Sequence, residues 1–208
     1  MATTEAKLVD RRARRREAKR AKILAEAWKL ARRDGLGAIS LRDLADRVDL
    51  RQPSLYAYFD SKLGLYDAMF AEAYRQLLEL VAQHPPGDDP RAALAEFVRV
   101  LVQFSTEDVV RHQLLFQRTI PGFEPSPASY QVAIEFYELG RERLAAASVG
   151  EQGDMDLFTA LVSGLAHQQV ANDPGGDRWV RQAGRAVEMF LADVDRRRRI
   201  RSRKGEPR

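Results

Sequence analysis

Polar side chains that could hydrogen bond with DNA bases are grouped in one short stretch near the N-terminus. If this stretch is helical, Gln52, Ser54 and Tyr56 lie on the face away from the apolar Leu55 and Phe59. A short helix and a three-residue turn precede it, and two helices joined in this way fit major-groove recognition by a helix-turn-helix. An ordinary corner between two short helices gives the same pattern, so spacing alone leaves both interpretations open.

Patterns typical of catalytic and metal sites are weak in this sequence. The 208 residues include no Cys, which excludes a thiolate nucleophile, a disulfide framework and zinc sites built on sulfur. A di-metal site in a helical bundle would use Glu-x-x-His pairs, but none of the three histidines, His84, His112 and His167, has Glu three residues before it. Asp108 and His112 form a single i, i+4 pair without companions. We therefore expect no enzyme, no cofactor and no metal.

Helices are the elements expected to position the polar stretch. Apolar residues recur at three- and four-residue spacing in nearly every segment between Gly and Pro breaks, and no segment keeps a period of two. This pattern predicts an all-α fold of about nine helices. The first predicted helix ends at about residue 34, and the others span about 41–48, 52–59, 62–83, 90–106, 107–117, 126–147, 155–171 and 177–198.

Residues with strong local preferences mark the ends of the first four helices. Gly35 follows the first helix where a left-handed residue is expected, and Ser40 is a suitable N-cap for the second. The segment 49–51 forms the turn, and Pro53 is tolerated in the first turn of the third helix. The pair at 60–61, Asp-Ser, caps the fourth helix.

Charge is distributed unevenly along the chain. Residues 1–62 carry 16 Lys and Arg against 9 Asp and Glu, and residues 196–208 carry 8 against 1, although the net charge of the chain is only +4. The central part is therefore acidic. This asymmetry suggests that the N-terminal part meets a polyanion and that the central part has another task.

The charge pattern and the helix pattern together divide the chain into four segments. We predict a basic N-terminal arm over 1–17, a helix-turn-helix domain over 18–62, a second helical domain over 63–198 and a basic disordered tail over 199–208. The arm and the residues after it either follow DNA phosphates or the minor groove, or form a solvated tail. The cations concerned are Arg11, Arg12, Arg14, Arg15, Arg16, Lys19, Arg20 and Lys22.

The sequence of residues 39–62 is specific enough to suggest a family. It reads Ile-Ser-Leu-Arg-Asp-Leu-Ala-Asp-Arg-Val-Asp-Leu-Arg-Gln-Pro-Ser-Leu-Tyr-Ala-Tyr-Phe-Asp-Ser-Lys. With its Leu-Tyr-x-Tyr-Phe-x-x-Lys core and Gln-Pro-Ser-Leu-Tyr start, it resembles the DNA-binding signature of the TetR family of bacterial repressors. The resemblance covers roughly residues 18–70. Residues 114–127 (LLFQRTIPGFEPSP) and 172–179 (NDPGGDRW) resemble the ligand domain of an actinobacterial-type subgroup.

This resemblance implies both an architecture and a mechanism. The first three helices would bind DNA, the middle ones would enclose a small-molecule effector, and the last two would form a four-helix dimer interface. Effector binding would change the separation of two recognition helices, so that a repressor leaves its palindromic operator. The expected location is the cytoplasm, at the nucleoid when bound to DNA. No segment approaches the ~18 consecutive apolar residues of a membrane span, and no membrane partner is expected.

The resemblance assigns base contacts to residues of the second and third helices. Arg42 would approach a base edge. An Arg side chain can make a bidentate pair with guanine, and Gln52 can make one with adenine. Pro53 and Ser54 would contact a thymine methyl or a phosphate.

Phosphate contacts would come from Tyr56 and Tyr58 through their hydroxyls, and from Lys62 beside the N-terminus of the fourth helix. The neighbouring apolar residues are expected to pack rather than to read bases. These are Leu41, Leu44, Val48, Leu55 and Phe59.

Three positions depart from the family pattern. Asp49 replaces the turn glycine, but Asp tolerates a left-handed conformation, so the turn is expected to survive. Arg51 replaces the usual Ser, losing a side-chain cap and gaining a possible phosphate contact. Ala57 stands where a bulky residue is usual, which leaves fewer base-reading atoms and makes the operator sequence unpredictable.

Aromatic and titratable residues of the central helices are candidates for an effector pocket. Ordinary core packing is the alternative for each aromatic residue, because apolar residues at helical spacing normally form a core. His112 and Arg118 are stronger candidates, since a titratable group on an apolar face needs a partner. The whole candidate set is Phe97, Leu101, Phe104, His112, Phe116, Arg118, Phe123, Tyr130 and Phe136.

The last two predicted helices present wide apolar faces, more than one small domain needs. We expect them to pair with a second copy of the chain, placing two recognition helices about 34–36 Å apart. The predicted interface residues are Phe158, Leu161, Val162, Leu165, Gln169, Trp179, Ala183, Val187, Phe190, Leu191 and Val194. An architectural DNA binder with shallow sequence preference and no effector remains the other interpretation.

Overall fold

The computed structural model describes the backbone of residues 2–204 and the side chains of residues 11–203. Within this range the secondary structure is entirely helical, which confirms the predicted fold class. Short 3-10 helices occur at Leu36–Ala38 and Val180–Gln182. The α-helices are α1 (Ala2–Asp34), α2 (Leu41–Arg47), α3 (Gln52–Leu55), α4 (Lys62–Ala82), α5 (Pro90–Glu107), α6 (Val109–Phe116), α7 (Pro127–Ala146), α8 (Gln152–Asn172) and α9 (Ala183–Lys204).

The helices are grouped into two compact units. The N-terminal unit contains the residues up to Glu72 together with Gln113–Tyr130, and the C-terminal unit contains Ala73–His112 together with the residues from Gln131 onward. Packing therefore does not follow chain order, because the loop after α6 and the start of α7 belong to the N-terminal unit. The functional division into residues 18–62 and 63–198 stays a prediction.

The core of the N-terminal unit is built from one face of α1 and the inner sides of α2, α3 and α4. The α1 stripe consists of Ile23, Leu24, Ala27, Leu30 and Ala31, whose spacing of three and four residues places them on one face. The predicted packing residues Leu44, Val48, Leu55 and Phe59 are also buried, and Leu41 is half-buried.

Local signals set the helix ends of this unit as predicted. Gly35, which follows α1, has φ 87°, a positive value that glycine adopts readily. The Ser40 hydroxyl accepts a hydrogen bond from the Asp43 amide at 3.2 Å, and the Ser61 hydroxyl accepts one from the Gly64 amide at 2.9 Å. Asp49 has φ 56°, so Asp does replace the turn glycine in a left-handed conformation.

The C-terminal unit packs α5 against α8 and α9. Phe158 of α8 and Phe190 of α9 lie with ring centroids 5.2 Å apart. Arg197 of α9 donates a hydrogen bond to Asp154 of α8 at 2.6 Å, and Arg91 of α5 pairs with Asp195 of α9. These charged pairs fix the ends of helices whose middles are held by apolar burial.

The segment between α8 and α9, which the sequence analysis singled out, is organised by one buried amide. Gln169 is fully buried, and its side-chain oxygen accepts a hydrogen bond from the Trp179 amide at 2.7 Å. Its amide group donates to Asp173, whose carboxylate also accepts from the Arg178 amide at 3.0 Å. A Cβ at Gly176 would lie 2.2 Å from that carboxylate, so a larger residue there would displace Asp173 from these hydrogen bonds. Within this chain the segment has a structural role.

Both basic ends differ from the predictions. The segment 11–17 is part of α1, where a separate basic arm was predicted, and α9 continues through residues 199–204, where a disordered tail was predicted. Arg at the C-terminal end of α9 is favoured by the helix dipole, and Arg201 pairs with Glu151. The last four residues, 205–208, lie outside the described range. No helix of the described residues combines the length and the apolarity needed to cross a bilayer.

Candidate functional site

The polar stretch identified in the sequence lies on α3 and the turn that follows it. α3 contains a single α-helical turn, and the Arg51 side chain does not cap it. Beyond Leu55 the chain tightens, with the Tyr56 amide bonding the Pro53 carbonyl at 3.3 Å and the Tyr58 amide bonding the Leu55 carbonyl at 2.8 Å. The prediction of a helix through residue 59 is therefore wrong. The recognition element consists of α3 and this turn, residues 52–59.

The candidate DNA-contacting residues form an exposed polar surface over a buried apolar one. The side chains that face solvent are Arg42, Arg51, Gln52, Pro53, Ser54 and Tyr56, and those that are half-buried are Tyr58 and Lys62. Beneath them, Leu55 is 2% exposed and Phe59 is 7% exposed. The apolar residues anchor the recognition element, and its hydrogen-bonding groups remain available to another molecule.

Lys62 has an intramolecular role in addition to its predicted phosphate contact. Its ammonium donates a hydrogen bond to the Gly37 carbonyl at 2.8 Å and lies 5.8 Å from the ring centroid of Tyr66. The Tyr66 hydroxyl donates to the Leu36 carbonyl. Lys62 and Tyr66 thus tie the start of α4 to the 3-10 turn between α1 and α2.

The basic residues of α1 divide into two groups. Arg11, Arg12, Arg14 and Arg15 are exposed. The second group, Arg16, Lys19 and Arg20, contacts the helix-turn-helix. Sequence reasoning missed this role because it considered only DNA or solvent as partners.

Three side chains of the second group reach the recognition element and the turn before it. Arg16 donates to the Ala57 carbonyl at 2.8 Å, and Lys19 donates to the Val48 carbonyl. The guanidinium of Arg20 lies 5.4 Å from the ring centroid of Phe59.

An acidic residue of α4 joins two segments of the N-terminal unit. The Asp67 carboxylate accepts hydrogen bonds from the Ser126 amide at 2.7 Å, the Ser126 hydroxyl at 2.9 Å and the Ser129 hydroxyl at 2.7 Å. Ser126 and Ser129 lie at the start of α7, so Asp67 holds the N-terminus of that helix against α4. Nothing in the local sequence indicated this contact, which spans about 60 residues.

Five of the nine candidate pocket residues lie in the C-terminal unit: Phe97, Leu101, Phe104, His112 and Phe136. Phe97 and Phe136 stack with centroids 5.7 Å apart, and Tyr74, which sequence reasoning missed, lies 6.1 Å from Phe136. The Arg111 guanidinium lies 3.5 Å from the ring centroid of Phe104 and donates to the Phe104 carbonyl at 2.8 Å.

His112 is the buried titratable residue of this group. It is 5% exposed, and burial together with the positive charge of His167 lowers its pKa below the ordinary value of 6.5. At neutral pH the imidazole is therefore neutral, a form that can both donate and accept a hydrogen bond.

The other four candidates lie in the N-terminal unit. Phe123 is held by Tyr66 and Phe70, with centroid distances of 6.0 and 6.3 Å. Arg118 was expected on an apolar face, but it is exposed in the loop after α6. Phe116 and Tyr130 are also exposed. Helical spacing misplaced Arg118 because α6 ends at Phe116.

Most of the predicted dimer residues are buried inside the subunit. Because α5 packs on α8 and α9, the richer apolar stripe of each faces inward. The buried ones are Phe158, Val162, Gln169, Ala183, Val187, Phe190, Leu191 and Val194, and the half-buried ones are Leu161, Leu165 and Trp179. A partner could not reach the first eight without repacking, so the predicted interface is wrong for them. The large apolar side chains of these helices that are exposed are instead Leu157, Met189 and Ile200.

The described residues offer no cluster of metal ligands. They contain no group of three or more His, Asp and Glu side chains placed to hold a metal ion.

Comparisons with known proteins agree with this arrangement. Residues 23–69 match the family model described as "Bacterial regulatory proteins, tetR family". The HTH-type transcriptional repressor KstR of Rhodococcus jostii (strain RHA1) is 27% identical over 193 residues, covering 86% of this chain and 85% of the relative.

Solved structures share the fold. The transcriptional regulator PfmR from Thermus thermophilus has a TM-score of 0.60 at 23% identity, covering 82% of this chain and 97% of its own. The multidrug binding protein EbrR, complexed with imidazole, has a TM-score of 0.60 at 23% identity, covering 83% of this chain and 89% of its own.

Proposed function

We propose that this chain, whose residues 23–69 match the tetR-family model, is a TetR-family regulator that represses transcription by binding a specific DNA operator as a homodimer. We also propose that a small-molecule effector releases it from the operator. The site of action would be the bacterial cytoplasm, at the nucleoid. The single observation that carries the DNA-binding proposal is the recognition element, whose polar side chains are exposed above buried Leu55 and Phe59.

The recognition element supplies the groups that reading DNA needs. Gln52 and Arg42 are exposed and can each pair with two atoms of one base edge. Tyr56 is 48% exposed and carries a hydroxyl suited to a phosphate. Base contacts would give sequence preference, and phosphate contacts would fix the orientation of the protein on the duplex.

The proposed dimer uses the outer face of α8 and α9. Leu157 is 55% exposed and Met189 is 64% exposed, so both side chains are available to a partner. Between turns of the α8 face lie Ala160 and Gly164, and a Cβ on Gly164 would meet nothing within 4 Å in the subunit. Small residues of this kind allow the helices of a partner to approach closely. The twofold axis would then place two recognition elements on one palindromic operator.

The proposed effector site lies among the aromatic residues of the C-terminal unit. Tyr74, Phe97 and Phe136 form a contiguous aromatic group, and His112 offers a neutral imidazole. Such a group suits a flat or apolar small molecule that makes one or two hydrogen bonds. EbrR, which has the same fold, was solved with imidazole, a flat heterocycle.

Selection from a random-sequence duplex library tests the DNA-binding proposal while the operator is unidentified. The purified protein should enrich one palindromic sequence, and its complex with that duplex should contain two copies of the chain. Failure to enrich any sequence at physiological salt would contradict sequence-specific regulation and would favour an architectural DNA binder.

A displacement assay then tests the effector proposal. The labelled operator complex would be challenged with a panel of small aromatic compounds that includes imidazole. Release by at least one compound in the wild type, and loss of that release in Phe97→Ala, is the expected result. Release that persists unchanged in Phe97→Ala would place the effector elsewhere.

A further inference from the structure

The recognition element is a short segment that side chains of α1 contact. A helix of one turn is not stable alone, because nucleation fixes several residues for very few hydrogen bonds. α3 has only four α-helical residues and no side-chain cap at Arg51. The carbonyls of Pro53 and Leu55 accept from the Tyr56 and Tyr58 amides, so the C-terminal end of α3 is held by the turn that follows it.

Arg16 bonds this turn from outside the recognition element. Its guanidinium donates a hydrogen bond at 2.8 Å to the carbonyl of Ala57, a residue 41 positions further along the chain. A cation at this point also opposes the negative end of the short helix. Lys19 does the same for the end of α2 by donating to the Val48 carbonyl, and Arg20 covers the ring of Phe59.

We propose that Arg16 is a positioning residue for base recognition, which it serves by holding the turn at Ala57 rather than by contacting DNA. This inference rests on the proposed function, because it assigns the selectivity of the DNA site to a residue outside the reading surface. Gln52 and Tyr56 lie on the same short element as Ala57, so fixing the turn fixes the direction of their side chains.

Positioning affects specific and non-specific DNA binding differently. Base contacts require each side chain to lie opposite its base. Ordering a mobile recognition element therefore reduces the affinity of the specific complex but not that of the non-specific one. Non-specific binding depends on the number of phosphates neutralised, which appears as the slope of log K against log salt. Loss of a positioning residue should reduce selectivity and leave this slope unchanged.

The first test compares Arg16→Ala with Arg15→Ala. Both variants remove one exposed Arg from the same helix, and Ala preserves helix propensity. Arg16 bonds the Ala57 carbonyl, whereas Arg15 makes no hydrogen bond within the described part of the chain. Affinities for the selected operator and for a scrambled duplex would be measured at several salt concentrations. We expect Arg16→Ala to lower the ratio of the two affinities by about threefold to tenfold, with an unchanged slope and an unchanged Tm.

Two results of this test would overturn the proposal. A slope that falls by about one on both duplexes would show that Arg16 neutralises a phosphate. A lower Tm with an unchanged affinity ratio would show a role limited to stability. Arg15→Ala should leave the affinity ratio unchanged.

The second test needs no DNA and therefore separates this inference from the proposed function. Amide hydrogen exchange of the free protein would be compared between the two variants at Tyr58 and Phe59, whose amides close the recognition turn. Faster exchange at these amides in Arg16→Ala alone supports positioning even if no operator is found. Equal exchange in both variants contradicts it.

Discussion

Gln52 and Arg42 can each form two parallel hydrogen bonds with one base, which a Ser or Tyr hydroxyl cannot do. Both side chains are exposed on the helix-turn-helix. We predict that Gln52→Ala and Arg42→Ala each weaken binding to the selected operator by about 1–3 kcal/mol and have little effect on a scrambled duplex. Anisotropy titrations of both duplexes at one salt concentration measure this difference.

A control for this prediction is available on the same chain. Gln83 is exposed just beyond α4, and Gln83→Ala should change neither affinity. If Gln52→Ala or Arg42→Ala weakened both duplexes equally, that residue would be a phosphate contact rather than a base reader.

His112 makes stability depend on pH in a direction that its environment determines. Burial, and then the charge of His167, hold its pKa below 6.5, so the unfolded chain binds a proton more readily than the folded one. Stability is therefore complete above about pH 6.5 and decreases as the pH falls below that value toward the folded pKa. We predict that the Tm of His112→Leu decreases less than that of the wild type between pH 7.5 and pH 5.5. This range covers ~1 unit on either side of the ordinary His pKa.

His167→Gln is the matched control for this pH effect. His167 is exposed, and removing it leaves the burial of His112, the larger cause of the lowered pKa, in place. That variant should keep most of the wild-type pH dependence. Parallel profiles of Tm against pH for the wild type and His112→Leu would show that His112 does not cause the pH dependence of stability.

Between helices, the contact most dependent on one residue is that of Asp67 with the start of α7. Its carboxylate accepts three hydrogen bonds, and the Ser129 side chain that donates one of them is buried. Asp67→Ala would leave these donors unsatisfied. We predict a loss of about 1–3 kcal/mol in the free energy of unfolding, measured by urea denaturation. Asp88→Ala, in the exposed segment before α5, should cost almost nothing. A similar cost for both variants would mean that the Asp67 contacts are replaced by water.

Helix ends could be predicted from the sequence because the signals that set them are local. Ser40 caps α2, Gly35 ends α1 and Asp49 adopts the left-handed turn, each through atoms within a few residues. The end of α3 at Leu55 was missed, and the turn that replaces the rest of the predicted helix accepts a hydrogen bond from α1. The hydrogen bond from Arg16 to Ala57 spans 41 residues, and spacing cannot reveal a partner so distant.

The burial of α8 and α9 shows a second limit of reading the sequence. Both helices carry apolar residues on more than one side, as Leu157 and Phe158 do in adjacent positions. The side that faces α5 becomes core, and only the structure shows which side that is. That these helices also present an apolar face to a second copy of the chain stays a prediction. Most of the residues assigned to that face belong instead to the inner face.

For the whole molecule, operator selectivity requires more contacts than one recognition element offers. The element has one helical turn and a small residue at Ala57, so each copy can read few base edges. A dimer doubles these contacts and adds a fixed spacing of about 34–36 Å between half-sites. Association of two copies is therefore as important to the proposed function as any base-reading residue.

The proposed dimer face can be tested because its large apolar residues are not part of the subunit core. Leu157 and Met189 are exposed, so the double variant Leu157→Glu with Met189→Glu should fold with an unchanged Tm. We predict that it is a monomer by light scattering at micromolar concentration, because the unpaired carboxylates would be buried between the copies. Its operator affinity should fall toward its affinity for scrambled DNA, since one copy reads only one half-site. Ile134→Glu adds a charge at an exposed apolar residue of α7 and should remain a dimer. A dimeric Leu157→Glu, Met189→Glu variant would exclude this face, and the copies would then have to associate through another surface.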